Sequence, residues 1–193
     1  MEIPFQWSFP RRLHALAVLF LGLCLSVAVH AEIFSERTED LAQQVKLATG
    51  QGKQLAVLFE QDGCDACARL RRNVFSDKAA AKRFASTFRT VSVDLGREDG
   101  RVVTPDGSPQ PLREWAARLR VPGTPALLFF DRDGHILYRH VGPLTDGEAL
   151  RLLARYVVSG EFENQPFASF LASHRSAAAA KHSLQGDICR TRS

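Results

Sequence analysis

Cys64-Asp65-Ala66-Cys67 sets two thiols three residues apart, one helical turn from each other. What such a pair does depends on where the chain holds it. The short apolar run Leu55-Ala56-Val57-Leu58-Phe59 precedes it, the turn Asp62-Gly63 follows that run, and from Cys64 to about Phe75 the residues favour a helix. A thiol at the start of a helix meets unpaired backbone N–H groups and the positive end of the macrodipole, which favour its thiolate. Cys64 is then the attacking sulfur. Cys67, one turn on, is placed to resolve a mixed disulfide by closing a bond back to it.

Two blander uses of the same residues stand beside this one. A CxxC is half of a zinc site, but its second half would have to come from His135, His140, His174, His182 or Cys189, which do not show ligand spacing. A purely structural disulfide would close a loop too small to stabilise much. We expect no bound metal and no cofactor. Cys189 near the end of the chain is expected to be an exposed thiol without a role, and Cys24 lies in an apolar run.

The elements that would carry the pair follow from periodicity. Leu41, Val45 and Ala48 recur at helical spacing before Gly50 and Gly52. Gln54 to Glu60 is a strand of the continuous apolar kind that is covered on both faces. After the helix of the CxxC, Ser76 is the expected cap of a second helical stretch to about Phe88, and Thr90-Val91-Ser92-Val93-Asp94 is a strand. The segment 96–111, with three of the nine prolines and three glycines, is an inserted loop with room for a short hairpin. Pro111 opens a helix with Leu112, Trp115, Ala116 and Leu119 on one side. Ala126 to Phe130, the turn Asp131-Arg132-Asp133-Gly134 and His135 to Val141 form a hairpin. Thr145-Asp146-Gly147-Glu148 has capping-box form before a helix ending near Gly160, and a short element around Phe167 to Leu171 follows. Beyond Ala172 we expect a disordered tail, 173–193. Strand, helices, strand, helix, hairpin, helix demands an α/β arrangement, a mixed central sheet flanked by helices, which is the order of a thioredoxin-like fold.

The chain has 193 residues and a formal net charge of +4 over both signs, too weak a bias to argue for nucleic acid. Arg11 and Arg12, the apolar stretch Leu13 to Val29 and Val29-His30-Ala31 have the form of an export signal over 1–31. Uncleaved, a run of about 17 residues is at the short edge of what spans a membrane, and the signal would then be an anchor. The domain proper is expected over 32–172. Export implies a periplasmic protein, in a compartment where thiols are oxidised unless something keeps them reduced.

Leu58-Phe59-Glu60-Gln61-Asp62-Gly63-Cys64-Asp65-Ala66-Cys67, Val74-Phe75-Ser76-Asp77, Val121-Pro122-Gly123-Thr124-Pro125-Ala126-Leu127-Leu128-Phe129-Phe130-Asp131 and Asp133-Gly134 resemble the exported thioredoxin-like proteins of the SoxW type. Less closely, they resemble the C-terminal domain of the DsbD reductases. The likeness runs from about Gly52 to Leu171 and includes Thr104-Pro105-Asp106-Gly107 of the insertion. It implies an exported thiol-disulfide oxidoreductase, with an association to sulfur oxidation. It also implies a cis bond at Thr124-Pro125 opposite the CxxC, where the backbone of Thr124 pairs with an incoming substrate strand; an ordinary trans proline opening a strand is the alternative. Thioredoxins place Trp-Cys-Gly-Pro-Cys here and a buried Asp on the preceding strand. This chain has Gly63 before Cys64, Asp65-Ala66 between the cysteines and Leu58 in place of that Asp, and Trp7 and Trp115 are distant from the motif in sequence.

Glu60 shares strand parity with Leu58, so its carboxylate is a candidate proton shuttle for Cys67, or else a solvated group at a strand end. Asp62, Asp65 and Glu60 place negative charge against the helix dipole at Cys64, which limits the stabilisation of its thiolate and favours an electron donor. The expected activity is reduction of a disulfide-containing protein or sulfur-carrier substrate, with recharging by a membrane thiol donor of the DsbD or CcdA kind. A peptide-holding or chaperone-like module with a passive disulfide, and a disulfide oxidase or isomerase, are the rival readings.

Overall fold

A computed structural model describes residues 32–190, and from residue 184 on, as at His182, only the backbone. The expected export signal, with Trp7 and Cys24, lies outside the described residues, as does the side chain of Cys189. Helix α1 (Leu41–Gly50) is capped by Asp40, whose carboxylate accepts from the Gln43 amide, and buries Leu41, Val45 and Ala48 as their spacing requires. Strand β1 (Gln54–Glu60) leads into α2 (Asp65–Leu70), continued by a wider i→i+5 turn over Arg71–Phe75. Next come α3 (Lys78–Thr87) and β2 (Phe88–Asp94), then the hairpin β3 (Arg101–Val103) and β4 (Pro109–Pro111) inside the insertion. Helix α4 (Leu112–Arg118), β5 (Ala126–Phe130), β6 (Ile136–Val141), α5 (Gly147–Val158) and α6 (Phe167–Arg190) complete the chain.

The sheet order is β2-β1-β5-β6, with β1 parallel to β2 and antiparallel to β5, and β5 antiparallel to β6. This is the mixed sheet expected from the order of elements. Side chains alternate across it. Ala56, Leu58, Leu127 and Phe129 pack with α3, α5 and the start of α6 on one face, whereas Leu55, Val57, Phe59, Leu128 and Phe130 pack with α1 and α4 on the other. The double cover explains the unbroken apolar runs of β1 and β5.

Several boundaries differ from expectation: Pro111 caps α4 from the end of β4 and β6 starts at Ile136, and four further differences have a clear cause. Asp77 caps α3 in place of Ser76, because its carboxylate accepts from both Ala79 and Ala80 amides at 3.0 Å while the Ser76 hydroxyl turns back to the Arg72 carbonyl. Asp146, not Thr145, caps α5 by accepting from the Ala149 amide, and Thr145 donates to that carboxylate. Strand β2 starts at Phe88, two residues early, because Phe88 pairs with Gln54 at the start of β1 and buries its ring. The expected disordered tail is instead helical through Arg190. The run Ala177 to Ala180 supplies high helix propensity without large apolar side chains, and Arg175 ties the helix to Asp146 at 2.6 Å.

Candidate active site

Strand β1 delivers the chain to the CxxC from the middle of the sheet. Gly63, at φ +74°, takes the left-handed turn that a side chain would resist, and the Cys64 amide donates to the Gln61 carbonyl. Cys64 is then the N-cap of α2: its Sγ accepts from the Cys67 amide at 3.1 Å. The two sulfurs are joined as a disulfide with Cα atoms 5.3 Å apart. Cys64 is half-buried, whereas Cys67 is 4% exposed.

From the other neighbour of β1 comes the loop before β5. Its Thr124–Pro125 bond is cis, and the Thr124 hydroxyl lies 3.4 Å from Cys64 Sγ, placed to donate to it. The Pro125 carbonyl accepts from the Gly142 amide, which fixes the loop to the end of β6. So sixty residues of chain close around one sulfur, from the turn after β1 and from the loop entering β5.

Glu60 is the last residue of β1 and lies on the face of Leu58, as strand parity requires. It is not solvated: its side chain is 8% exposed and takes two hydrogen bonds from Arg71, Nη2 to Oε1 at 2.7 Å and Nε to Oε2 at 3.0 Å. Burial works to lower the Arg71 pKa, but the hydrogen bonds and charges of Glu60 and Glu32 outweigh it and hold the guanidinium above its ordinary value. Glu60, Arg71, Cys64 and Cys67 line one cleft of about 540 Å³, together with Arg37 and Asp62. Asp62 is almost fully exposed and sits 3.8 Å from Arg37, which pairs more closely with Asp94 at 3.2 Å.

Thus the structure brings Cys64, Cys67, Thr124 and Glu60 to one end of the sheet. It does not bring His135, His140 or His174 there: none of these lines the cleft, and they lie on the β5–β6 turn, on β6 and on α6. Arg71 is the residue that sequence reasoning missed. Its signal was there, since it follows Cys67 by four residues and therefore shares its side of the helix, but nothing in the spacing named Glu60 as its partner.

Chemically, a half-buried sulfur with two hydrogen-bond donors and a buried partner sulfur one turn on can exchange disulfides in two steps. Residues 41–157 match the thioredoxin-like domain. Among solved structures, a putative disulphide isomerase from Bacteroides thetaiotaomicron is similar at 26% identity and a TM-score of 0.52, over 70% of this chain and 98% of that one. A thioredoxin-fold protein from Helicobacter pylori is similar at 16% identity and a TM-score of 0.49, over 79% and 92%. The C-terminal domain of DsbD from Neisseria meningitidis, in its oxidised form, is similar at 13% identity and a TM-score of 0.43, over 60% and 91%. No curated protein matches the chain. Sheet order, the CxxC at a helix start and the family match over most of the described residues lead to one statement: the chain belongs to the thioredoxin-like family.

Proposed function

We propose that the protein is an exported, periplasmic thiol-disulfide oxidoreductase that acts mainly as a protein-disulfide reductase, without a bound cofactor. The observation that carries this reading is the asymmetry of the pair: Cys64 is accessible, hydrogen-bonded by the Cys67 amide and the Thr124 hydroxyl, and Cys67 is buried behind it. In the reduced protein the Cys64 thiolate attacks a substrate disulfide. A mixed disulfide forms and the first substrate sulfur leaves as a thiol. Cys67 then gives up its proton and attacks Cys64 Sγ, the second substrate thiol leaves, and two electrons have passed from the protein to the substrate. Thr124 and Pro125 are the platform on which a substrate strand lies beside Cys64. A membrane thiol donor of the DsbD or CcdA kind returns the Cys64–Cys67 disulfide to the dithiol. The SoxW-type resemblance of the motifs supports a disulfide-containing protein or a sulfur carrier as substrate, in a setting of sulfur oxidation.

Insulin reduction by the chain lacking 1–31, with dithiothreitol as the electron source, tests this. Turnover that disappears in Cys64→Ser is the expected result. Insulin precipitation no faster than with dithiothreitol alone, from a folded protein that binds peptide, would instead make it a peptide-holding module with a passive disulfide.

A further inference from the structure

Arg71 is tied down more completely than a surface arginine. Besides the two bonds to Glu60, its Nη1 donates to Glu32 Oε1 at 2.9 Å and its Nη2 to the Phe34 carbonyl at 3.0 Å. It is also where the helix of the CxxC changes winding: the Ser76 amide bonds to the Arg71 carbonyl, five residues back, a local widening that recurs at functional sites. The charged side chains of the cleft are Glu32, Arg37, Glu60, Asp62, Asp65 and Arg71. Glu32, Arg37 and Asp62 are at least half exposed and Asp65 stands in solvent, so water and salt screen them. Glu60 is the buried one, and a charge withdrawn from water acts on its neighbours more strongly than one at the surface. Its effect on the two sulfurs therefore depends on whether Arg71 cancels it.

We propose that Arg71 is a positioning residue of the redox site: it fixes Glu60 as a paired carboxylate and cancels its charge in the cleft that Cys64 and Cys67 line, so that this ion pair sets how readily the thiols ionise and how strongly the dithiol donates electrons. The inference rests on the oxidoreductase reading and deepens it. Without Glu60 the guanidinium keeps only the half-exposed Glu32 as a counter-charge, and most of its charge is left acting on the cleft. It favours thiolate, stabilises the reduced form and makes the protein a weaker reductant. Without Arg71 the unpaired carboxylate disfavours thiolate and the protein becomes a stronger reductant. A Glu60 that shuttles the Cys67 proton behaves otherwise: its loss slows resolution of the mixed disulfide and leaves the ionisation of Cys64 where it was.

The test uses the full chain and the variants Glu60→Gln, Arg71→Met, Arg71→Lys and the double Glu60→Gln/Arg71→Met. Two quantities are measured on each: the pH dependence of Cys64 alkylation, read by mass spectrometry of its peptide, and the equilibrium with glutathione. Glu60→Gln should raise the Cys64 thiolate fraction at pH 7 and move the equilibrium toward dithiol by about tenfold, roughly 30 mV. Arg71→Met should move both the other way, Arg71→Lys should stay near the parent, and the double variant should return to within about threefold of it. Should Arg71→Met fail to fold, Glu60→Gln and the double variant carry the test, since neither leaves a buried carboxylate unpaired. Unmoved ionisation and equilibrium in folded Glu60→Gln would overturn the inference, and slowed resolution with unmoved ionisation would give Glu60 the proton-shuttle role. A parent protein that exchanges with glutathione no faster than an unstructured dithiol overturns the oxidoreductase reading itself.

Discussion

The Thr124 hydroxyl stands 3.4 Å from the sulfur of Cys64 and the Cys67 amide 3.1 Å from it, so the attacking sulfur is approached by one donor from its own helix and one from sixty residues away. A hydrogen bond to a charged acceptor contributes about 1.5–3 kcal/mol. Thr124→Val removes the distant donor and keeps the shape. Alkylation of Cys64 at pH 7 should slow by about tenfold, because the thiolate loses that partner, and Thr124→Ser should restore most of the rate. Equal alkylation rates in Val and Ser variants would mean the hydroxyl does not act on the thiolate.

Cys64 should react before Cys67. The first is half-buried and capped by donors, the second is 4% exposed. With limiting iodoacetamide on the reduced protein, the label is expected on the Cys64 peptide. Labelling that favours Cys67 would reverse the roles of the two sulfurs.

What the sequence made legible, and what it did not, divides by distance along the chain. Strands β1 and β5 were visible as apolar runs because both faces of each are buried, and the CxxC was visible because its chemistry needs only three consecutive intervals. The hydrogen bond from Thr124 to Cys64 was not, since the resemblance implied a backbone role for Thr124 and said nothing of its hydroxyl. Glu60 was assigned to the correct face by parity, yet its partner was hidden: the pairing with Arg71 needs the helix to return over the strand it left eleven residues before. At Ser76-Asp77 both residues are good caps, and one residue decided between them only once the phase of α3 was fixed. The tail misled for a different reason. Composition without large apolar residues argued against a packed element, whereas Ala177 to Ala180 are strong helix formers by propensity alone.

His140 is expected to give the fold a pH dependence. Its Nε2 is buried without a partner, its ring packs edge-on against Phe167 at 5.4 Å, and burial lowers its pKa. An unfolded chain takes up the imidazole proton near pH 6.5, while the folded one resists it, so stability is lost as pH falls below that value. The melting temperature of the parent should fall between pH 7.5 and 5 by about 2–5 °C more than that of His140→Phe. Parallel pH profiles for the two proteins would remove His140 from the acid response.

The most direct measurement is the redox potential of the Cys64–Cys67 pair. Asp65 stands in the first turn of α2 and Asp62 two residues before Cys64, and both, although solvent screens them, weaken the pull of the helix dipole on that sulfur. Glu60 no longer adds to them, because Arg71 cancels it. With the thiolate only partly stabilised, the dithiol is a strong electron donor, and equilibration of the chain lacking 1–31 against glutathione buffers should give a potential near the thioredoxin value of about −270 mV. A potential above roughly −180 mV, the value for protein disulfide isomerase, would contradict the reductase account and make the protein an isomerase or an oxidase.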